Sequence, residues 1–217
     1  VLTNYSELQT IIGEYLEQDD VINQIPTFIR LAESRFEREL SVHWMDAIQE
    51  GFIETQTVDL PMGYLETVAL FVSSTSPATR VQYYPKHLFF SMTRSSLSGT
   101  PRIYTVIGTK MYFAPDPTGV EPETYPYTLH FRQQIPKLTN NNTSNWLLDI
   151  APDVYLYGSI LEAQPFLSDD ERLTVWTSMY ERGKDSLVGL DSRAQFRPQT
   201  EMRRRAGYHD GSHTVRW

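Results

Sequence analysis

Apolar positions in the first forty residues repeat at helical spacing. In SELQTIIGEYLEQ, Leu8, Ile11, Ile12, Tyr15 and Leu16 fall on one face, and Ser6 stands three residues before Gln9, the spacing of a helix-start capping box. IPTFIRLAESRFEREL follows, with Pro26 suited to a first helical turn and Ile25, Ile29, Ala32, Phe36 and Leu40 continuing a stripe. Glu33 and Glu37, with Arg30, Arg35 and Arg38, are expected on the rest of that helix. From about residue 42 to residue 144 the period shortens. FIETQTVDL, TVALFV, RVQYY, RIYTVI, KMYFA and YTLHFRQQI are short or alternating runs separated by Pro, Gly, Ser and Asn clusters, which predicts strands. Gly108-Thr109 lies between two such runs and predicts a hairpin turn. PKHLFFSMTR suggests a short helix among the strands, and TNNNTSN, residues 139–145, a polar loop that ends them. Helical spacing then returns in APDVYLYGSILEAQPFL, where Pro165 should break the helix. It returns again in SDDERLTVWTSMYERGKDSLVGL, where Ser168 and Glu171 form a second capping box.

The order helix, helix, strands, helix, helix predicts an α+β fold: a four-helix bundle with an inserted small antiparallel β region and an extended C-terminal arm. The expected divisions are 1–41 and 145–192 for the two helical pairs, 42–144 for the β-rich insertion, and 193–217 for the arm.

Charge sharpens the picture at the C-terminal end. The whole chain of 217 residues has a net charge of −8, but from Arg193 onward six arginines face Glu201 and Asp210, a net of 6 − 2 = +4, leaving 13 − 25 = −12 on residues 1–192. Body and tail have opposite signs, a split that marks an interaction tail. With 40% apolar and 12% aromatic residues the chain is expected to fold. No run approaches the roughly 18 uncharged apolar residues of a membrane span, and VLTNYSELQT lacks the order of a signal peptide, so no membrane association or secretion is expected. Val1 in place of methionine suggests trimming. The absence of cysteine excludes disulfides, thiolate metal sites and a thiol nucleophile.

Little in the chain asks for catalysis, and no enzyme, cofactor or metal site is expected. IGTK carries the lysine of a phosphate loop without the upstream glycine. Of His43, His87, His130, His209 and His213, the last two are four apart, but turn-forming Asp210-Gly211-Ser212 separates them and no third ligand is near in sequence. The acids at Asp19-Asp20 and Asp169-Asp170-Glu171 precede helices, where capping and the helix dipole explain them better than a glycosidase-like pair. The aromatics of the β region, among them Tyr83, Tyr84, Phe89, Phe90, Tyr104, Tyr112, Phe113, Tyr125 and Tyr127, could form a stacking platform, but alternation assigns about half of them to a core. In the tail, EMRRRAGYHDGSHTVRW, the arginines could contact nucleic acid, with affinity falling by about three decades between 50 and 200 mM salt for six phosphates. Its Arg, Tyr and Trp residues equally suit a protein-binding arm.

IPTFIRLAESRFEREL, DLPMGYLETVAL, PRIYTVIGTKMYFAPDPTG and NWLLDIAPDVYLYGSILEAQPFLSDDERLTVW, in that order, resemble the head-to-tail adaptor (connector) proteins of tailed bacteriophages over most of residues 5–190. The resemblance implies a structural virion protein at the head-tail junction, made in the host cytoplasm. Such a protein forms a dodecameric ring below the portal protein, extends the DNA channel and offers a platform to tail or nozzle proteins. Packaged DNA would pass without specific binding, and an acidic channel wall suits that. The resemblance also implies a C-terminal arm that reaches the portal. The residues expected to carry that contact are Arg203, Arg204, Arg205, Tyr208 and Trp217. A nucleic-acid-binding accessory protein acting through the same tail is the alternative.

Overall fold

The computed structural model describes residues 2–17, 19–73, 78–93, 98–119, 124–167 and 171–195. Six α-helices occur among them: α1 Tyr5–Leu16, α2 Ile25–Glu39, α3 Lys86–Met92, α4 Trp146–Ile150, α5 Pro152–Glu162 and α6 Arg172–Gln195. Eight strands form two sheets: β1 Asp46–Ile53, β2 Thr57–Asp59, β3 Tyr64–Val72, β4 Thr79–Arg80, β5 Gln82–Tyr83, β6 Ile103–Ile107, β7 Lys110–Ala114 and β8 Tyr125–Gln133. One sheet has the order β1-β8-β3-β4 and the other β2-β7-β6-β5.

This is α+β, but it is not a four-helix bundle. The short helix α5 lies at the centre of the helical region, buried along Val154, Tyr155, Leu156, Gly158, Ser159, Ile160 and Leu161, and α1, α2, α4 and α6 all pack on it. A bundle needs helices of comparable length sharing one axis direction. Here α5 has 11 residues and α6 has 24, so most of α6 has no α5 turn beside it. Gly158 permits the tight packing: a Cβ there would sit 2.6 Å from the Phe36 ring of α2 and 3.3 Å from Tyr180 of α6.

The β region is also larger and less uniform than a small antiparallel unit. It holds two four-stranded sheets, and β5 runs parallel to β6 while the other pairings are antiparallel. Residues 79–83 account for this, because the chain pairs with β3 as β4 and crosses into the second sheet as β5. The β6–β7 hairpin turns at Gly108, whose φ of 60° a glycine adopts without strain, as the sequence led us to expect.

Two apolar cores result. One joins α1, α2, α4, α5 and α6 with Val42, Met45, Ile135 and Leu138 from the connections. The other lies in the β region, around Ile53, Leu70, Val72, Tyr104, Met111, Phe113, Tyr125, Tyr127, Leu129 and Phe131. The chain passes from the first to the second through β1 and returns through β8, and these two strands pair with each other from Asp46↔Arg132 to Ile53↔Tyr125.

Helix starts differ in detail from expectation. The cap of α1 is Asn4, not Ser6: the Asn4 side chain accepts from the Glu7 amide, while Glu7 accepts from the Thr3 amide and hydroxyl. The box is one of the expected kind displaced by two residues. Ser168 lies outside the described residues.

Candidate functional site

The expected arm, 193–217, starts within the last turn of α6, which runs to Gln195, and the last turns of α6 are tied down. Asp191 lies on the buried face of α6. Its Oδ1 accepts from the His43 backbone N–H at 2.7 Å and meets His43 Nδ1 at 2.5 Å, while Oδ2 accepts from Gln195 Nε2 at 2.8 Å. Burial disfavours the Asp191 carboxylate, but the His43 amide and ring, with Gln195, outweigh it and hold the carboxyl below its ordinary range. The His43 ring lies against Trp44 at 4.0 Å between centroids, and Trp44 stacks on Trp146, the first residue of α4, at 6.1 Å and 17°. Three chain segments therefore meet here: the end of α6, the 3-10 turn His43–Met45 before β1, and the start of α4. A His–Asp pair can serve a hydrolase, but catalysis needs a nucleophile on the other ring nitrogen. Among the described residues no hydroxyl is hydrogen-bonded to His43 Nε2, and the pair acts as a clip.

A second polar cluster sits inside the helical core. Glu33 of α2 is fully buried, and its Oε1 accepts from the Leu138 amide at 2.8 Å and the Tyr155 hydroxyl at 3.0 Å. Asn145 donates to the Tyr155 oxygen at 2.8 Å and to the Pro136 carbonyl at 2.6 Å, and it caps α4 by accepting from the Leu148 amide. Desolvation raises the Glu33 carboxyl above its ordinary range despite these bonds, and burial beside Glu33 raises the Tyr155 hydroxyl strongly. Nearer the surface, Glu39 at the end of α2 accepts from Tyr180 and Lys184 of α6, and Arg35 pairs with Glu162 of α5. These contacts fix helices to one another. They offer no open cavity with converging acid and base.

Comparison with known protein families decides what kind of molecule this is. A family model described as SU10 adaptor protein matches residues 3–205, a span that takes in both apolar cores. The chain belongs to the SU10 adaptor protein family. It is a structural adaptor of a phage virion. No curated protein matches the chain.

The five arm residues expected to bind the portal, Arg203, Arg204, Arg205, Tyr208 and Trp217, lie outside the described residues, as do His209, His213, Asp169 and Asp170. The remaining histidines are dispersed: His43 is in the clip, His87 on α3, and His130 on β8 against Phe71. Among the described residues no three His, Asp or Glu side chains gather as a metal site would need. No helix described is long and apolar enough to cross a membrane. Of the nine aromatics singled out in the β region, Phe89, Tyr104, Phe113, Tyr125 and Tyr127 are buried, which leaves no continuous stacking platform. Tyr83 and Tyr84 instead wall a cleft of about 470 Å³ between β3 and β5, with Arg80, Gln82 and Tyr104.

Reading the sequence missed Asp191 and Glu33 as structural keys of the adaptor. The signal was present. Glu33 follows Ile29 by four and precedes Phe36 by three, and Asp191 follows Leu187 by four, so both carboxylates occupy positions on an apolar stripe.

Proposed function

We propose that the adaptor assembles as a dodecameric ring beneath the portal, lengthens the channel through which DNA passes, and presents a platform for tail or nozzle proteins. The observation that carries this reading is the family match across residues 3–205. In this reading residues 1–41 and 145–192 build the ring, 42–144 form the docking insertion, and 193–217 form an arm that holds the portal. Copies in a ring meet through two different patches, so each needs no self-complementary surface. The −12 charge of residues 1–192 supports passage of DNA without sticking, and the +4 of the remainder supports an arm that seeks an acidic surface. Repetition around a ring multiplies the hold of weak arms. The clip at Asp191 is compatible with the same division of labour, because it ties the end of α6 to the turn before β1.

The test is a chain truncated after Gln195, which leaves the clip intact. Mixed with portal-bearing heads, the full chain is expected to add a ring at the vertex in electron micrographs, and the truncated chain to fold but fail to attach. Attachment at the full-length level would remove the arm from the portal contact. Absence of a ring with the full chain would remove the larger reading. Substituting Arg203, Arg204 and Arg205 together by serine, or Tyr208 and Trp217 by alanine, separates charge from aromatic anchoring.

A further inference from the structure

Strand β1 is the edge of its sheet among the described residues. It has eight residues, its one strand neighbour among those residues is β8, and the register runs from Asp46↔Arg132 to Ile53↔Tyr125 without a bulge. Proteins blunt such edges with lysine, proline, a bulge or an inward charge, because a row of free backbone donors and acceptors templates another strand. DAIQEGFI has no lysine, no proline and no break in register. On the inner face, Gly51 leaves room for the buried Tyr127 ring, which a Cβ there would meet at 2.8 Å.

The outward face of the same strand is apolar where a lone edge should be polar. Asp46, Ile48, Glu50 and Phe52 share that face by the two-residue period, and Ile48 and Phe52 are 64% and 61% exposed. The register sets Ile48 beside His130 and Phe52 beside Pro126, and on the far side of β8 it continues to Ala69 and Phe71 of β3. Phe71 packs edge-on against His130 at 5.8 Å, so the apolar strip crosses three strands. Its charges are mixed, with Asp46, Glu50 and Glu66 near Arg132 and, at the β4 end, Arg80 opposite Phe71. Arg132 is already held by Asp46 and Glu66, and Glu50 has no ion pair among the described residues.

We propose that β1 is a docking strand that takes an extended segment of a partner protein as a fifth strand of its sheet. The alternation Asp46, Ile48, Glu50, Phe52 dictates the partner's chemistry. The residues of the added strand that share this face alternate basic and apolar, one basic residue in every four, so that a cation meets Glu50, which lacks the Arg132 contact that Asp46 has, while apolar groups cover Ile48 and Phe52. The inference rests on the adaptor reading only in that a platform protein has partners to dock. Its test uses the isolated full chain and reads β1 directly, so the two stand or fall separately.

The probe is a fluorescein-labelled synthetic peptide of three Lys-Thr-Val-Thr repeats, titrated by fluorescence anisotropy. Binding is expected, with amide exchange slowed along residues 46–53. A peptide with glutamate for lysine, or with proline in its central repeat, should bind about tenfold more weakly or worse, because it loses cross-strand pairs or a ladder hydrogen bond. The double variant Ile48→Lys, Phe52→Lys should lose the peptide while keeping the circular dichroism and melting temperature of the parent, since both side chains point outward. No binding, equal binding of the three peptides, or protection confined to other segments overturns the proposal. So does a concentration-dependent dimer of the chain that the double variant abolishes, for then the occupant of β1 is a second copy.

Discussion

In the helical region, side chains reach across more than a hundred residues of sequence to bond the backbone or one another: Glu33 to Leu138 and Tyr155, Glu39 to Tyr180, and Asp191 to His43. The β region has no counterpart among its described residues. Its longer side-chain links, Gln49 to Tyr127 and Arg132 to Asp46 and Glu66, span fewer residues, and among the described residues the buried Thr105 and Tyr125 hydroxyls have no hydrogen-bond partner. Apolar packing between helices tolerates sliding, whereas a buried carboxylate with two specific donors has one acceptable position, so the polar ties select a single arrangement of five helices. The sheets gain the same definition from the backbone ladder and from alternation, in which a shift of one residue would turn every side chain over. Because the ladder already fixes the strands, the outer face of β1, β8 and β3 is not needed to hold the fold together.

The largest expected effect tests how strongly the helical region depends on close packing. Phe36 is fully buried, its ring fills the space left by Gly158, and it lies 5.2 Å from the Tyr155 ring and 6.2 Å from Tyr180. Phe36→Ala should cost about 4 kcal/mol by urea denaturation. Native-state amide exchange should speed up in α2, α5 and α6 before it does in β8. Equal acceleration in β8 would mean that the two cores open as one, and the contrast between them would fail.

Next comes Glu33. Glu33→Ala leaves the Leu138 amide and the Tyr155 hydroxyl without their acceptor and should cost about 3 kcal/mol. Glu33→Gln keeps an acceptor and should cost less, and it also isolates the charge. Because burial raises the folded carboxyl above the ordinary value of 4.5, the folded state holds this proton more tightly than the unfolded chain. Its contribution therefore falls as pH rises from about the ordinary value through the raised one. Glu33→Gln should flatten that part of the stability profile, measured as urea midpoints from pH 4 to 8.

Asp191 gives a smaller effect of opposite sign. Its carboxyl is held below the ordinary value of 3.8, so its stabilisation is present above that value and lost as pH falls through the depressed one. Asp191→Asn can still accept from the His43 amide, and the loss at neutral pH should be about 1 kcal/mol. The acid limb of the profile should become shallower. A variant whose stability is unchanged but which attaches poorly to portal-bearing heads would show that the clip matters for attachment more than for the fold.

Much of this architecture could be read from period and turn chemistry, and the exceptions share a cause. Ile25, Ile29, Ala32, Phe36 and Leu40 were legible as a buried stripe and are buried. Gly108 was legible as a hairpin turn, and Pro165 as the end of α5, where the chain passes into a short 3-10 turn, Gln164–Phe166. Periodicity could not supply which helix is central. Tyr155 was not picked out because its neighbours Val154 and Leu156 are buried as well, and a helix enclosed on nearly all sides has little period to detect. The same limit hid Glu33 and Asp191, since a carboxylate is read as solvated unless its distant partners are known. The expectation of a four-helix bundle failed for this reason: period alone did not show that α5 is enclosed by the other helices. The family could be recognised from the serial order of ordinary segments, while the arm residues expected to bind the portal fall beyond what the structure describes.

The smallest effect is the most discriminating for the sheet. Ile48 and Ile53 lie on one strand, but Ile48 is 64% exposed and Ile53 is fully buried among the sheet core residues. Ile53→Ala should destabilise the chain by about 3 kcal/mol. Ile48→Thr keeps a β-branched side chain, removes apolar surface only from water, and should change stability by no more than about 0.5 kcal/mol. If Ile48→Thr instead lowered stability as much as Ile53→Ala, the outer face would be covered by the chain itself, and both the open edge and the contrast between the two regions would have to be given up.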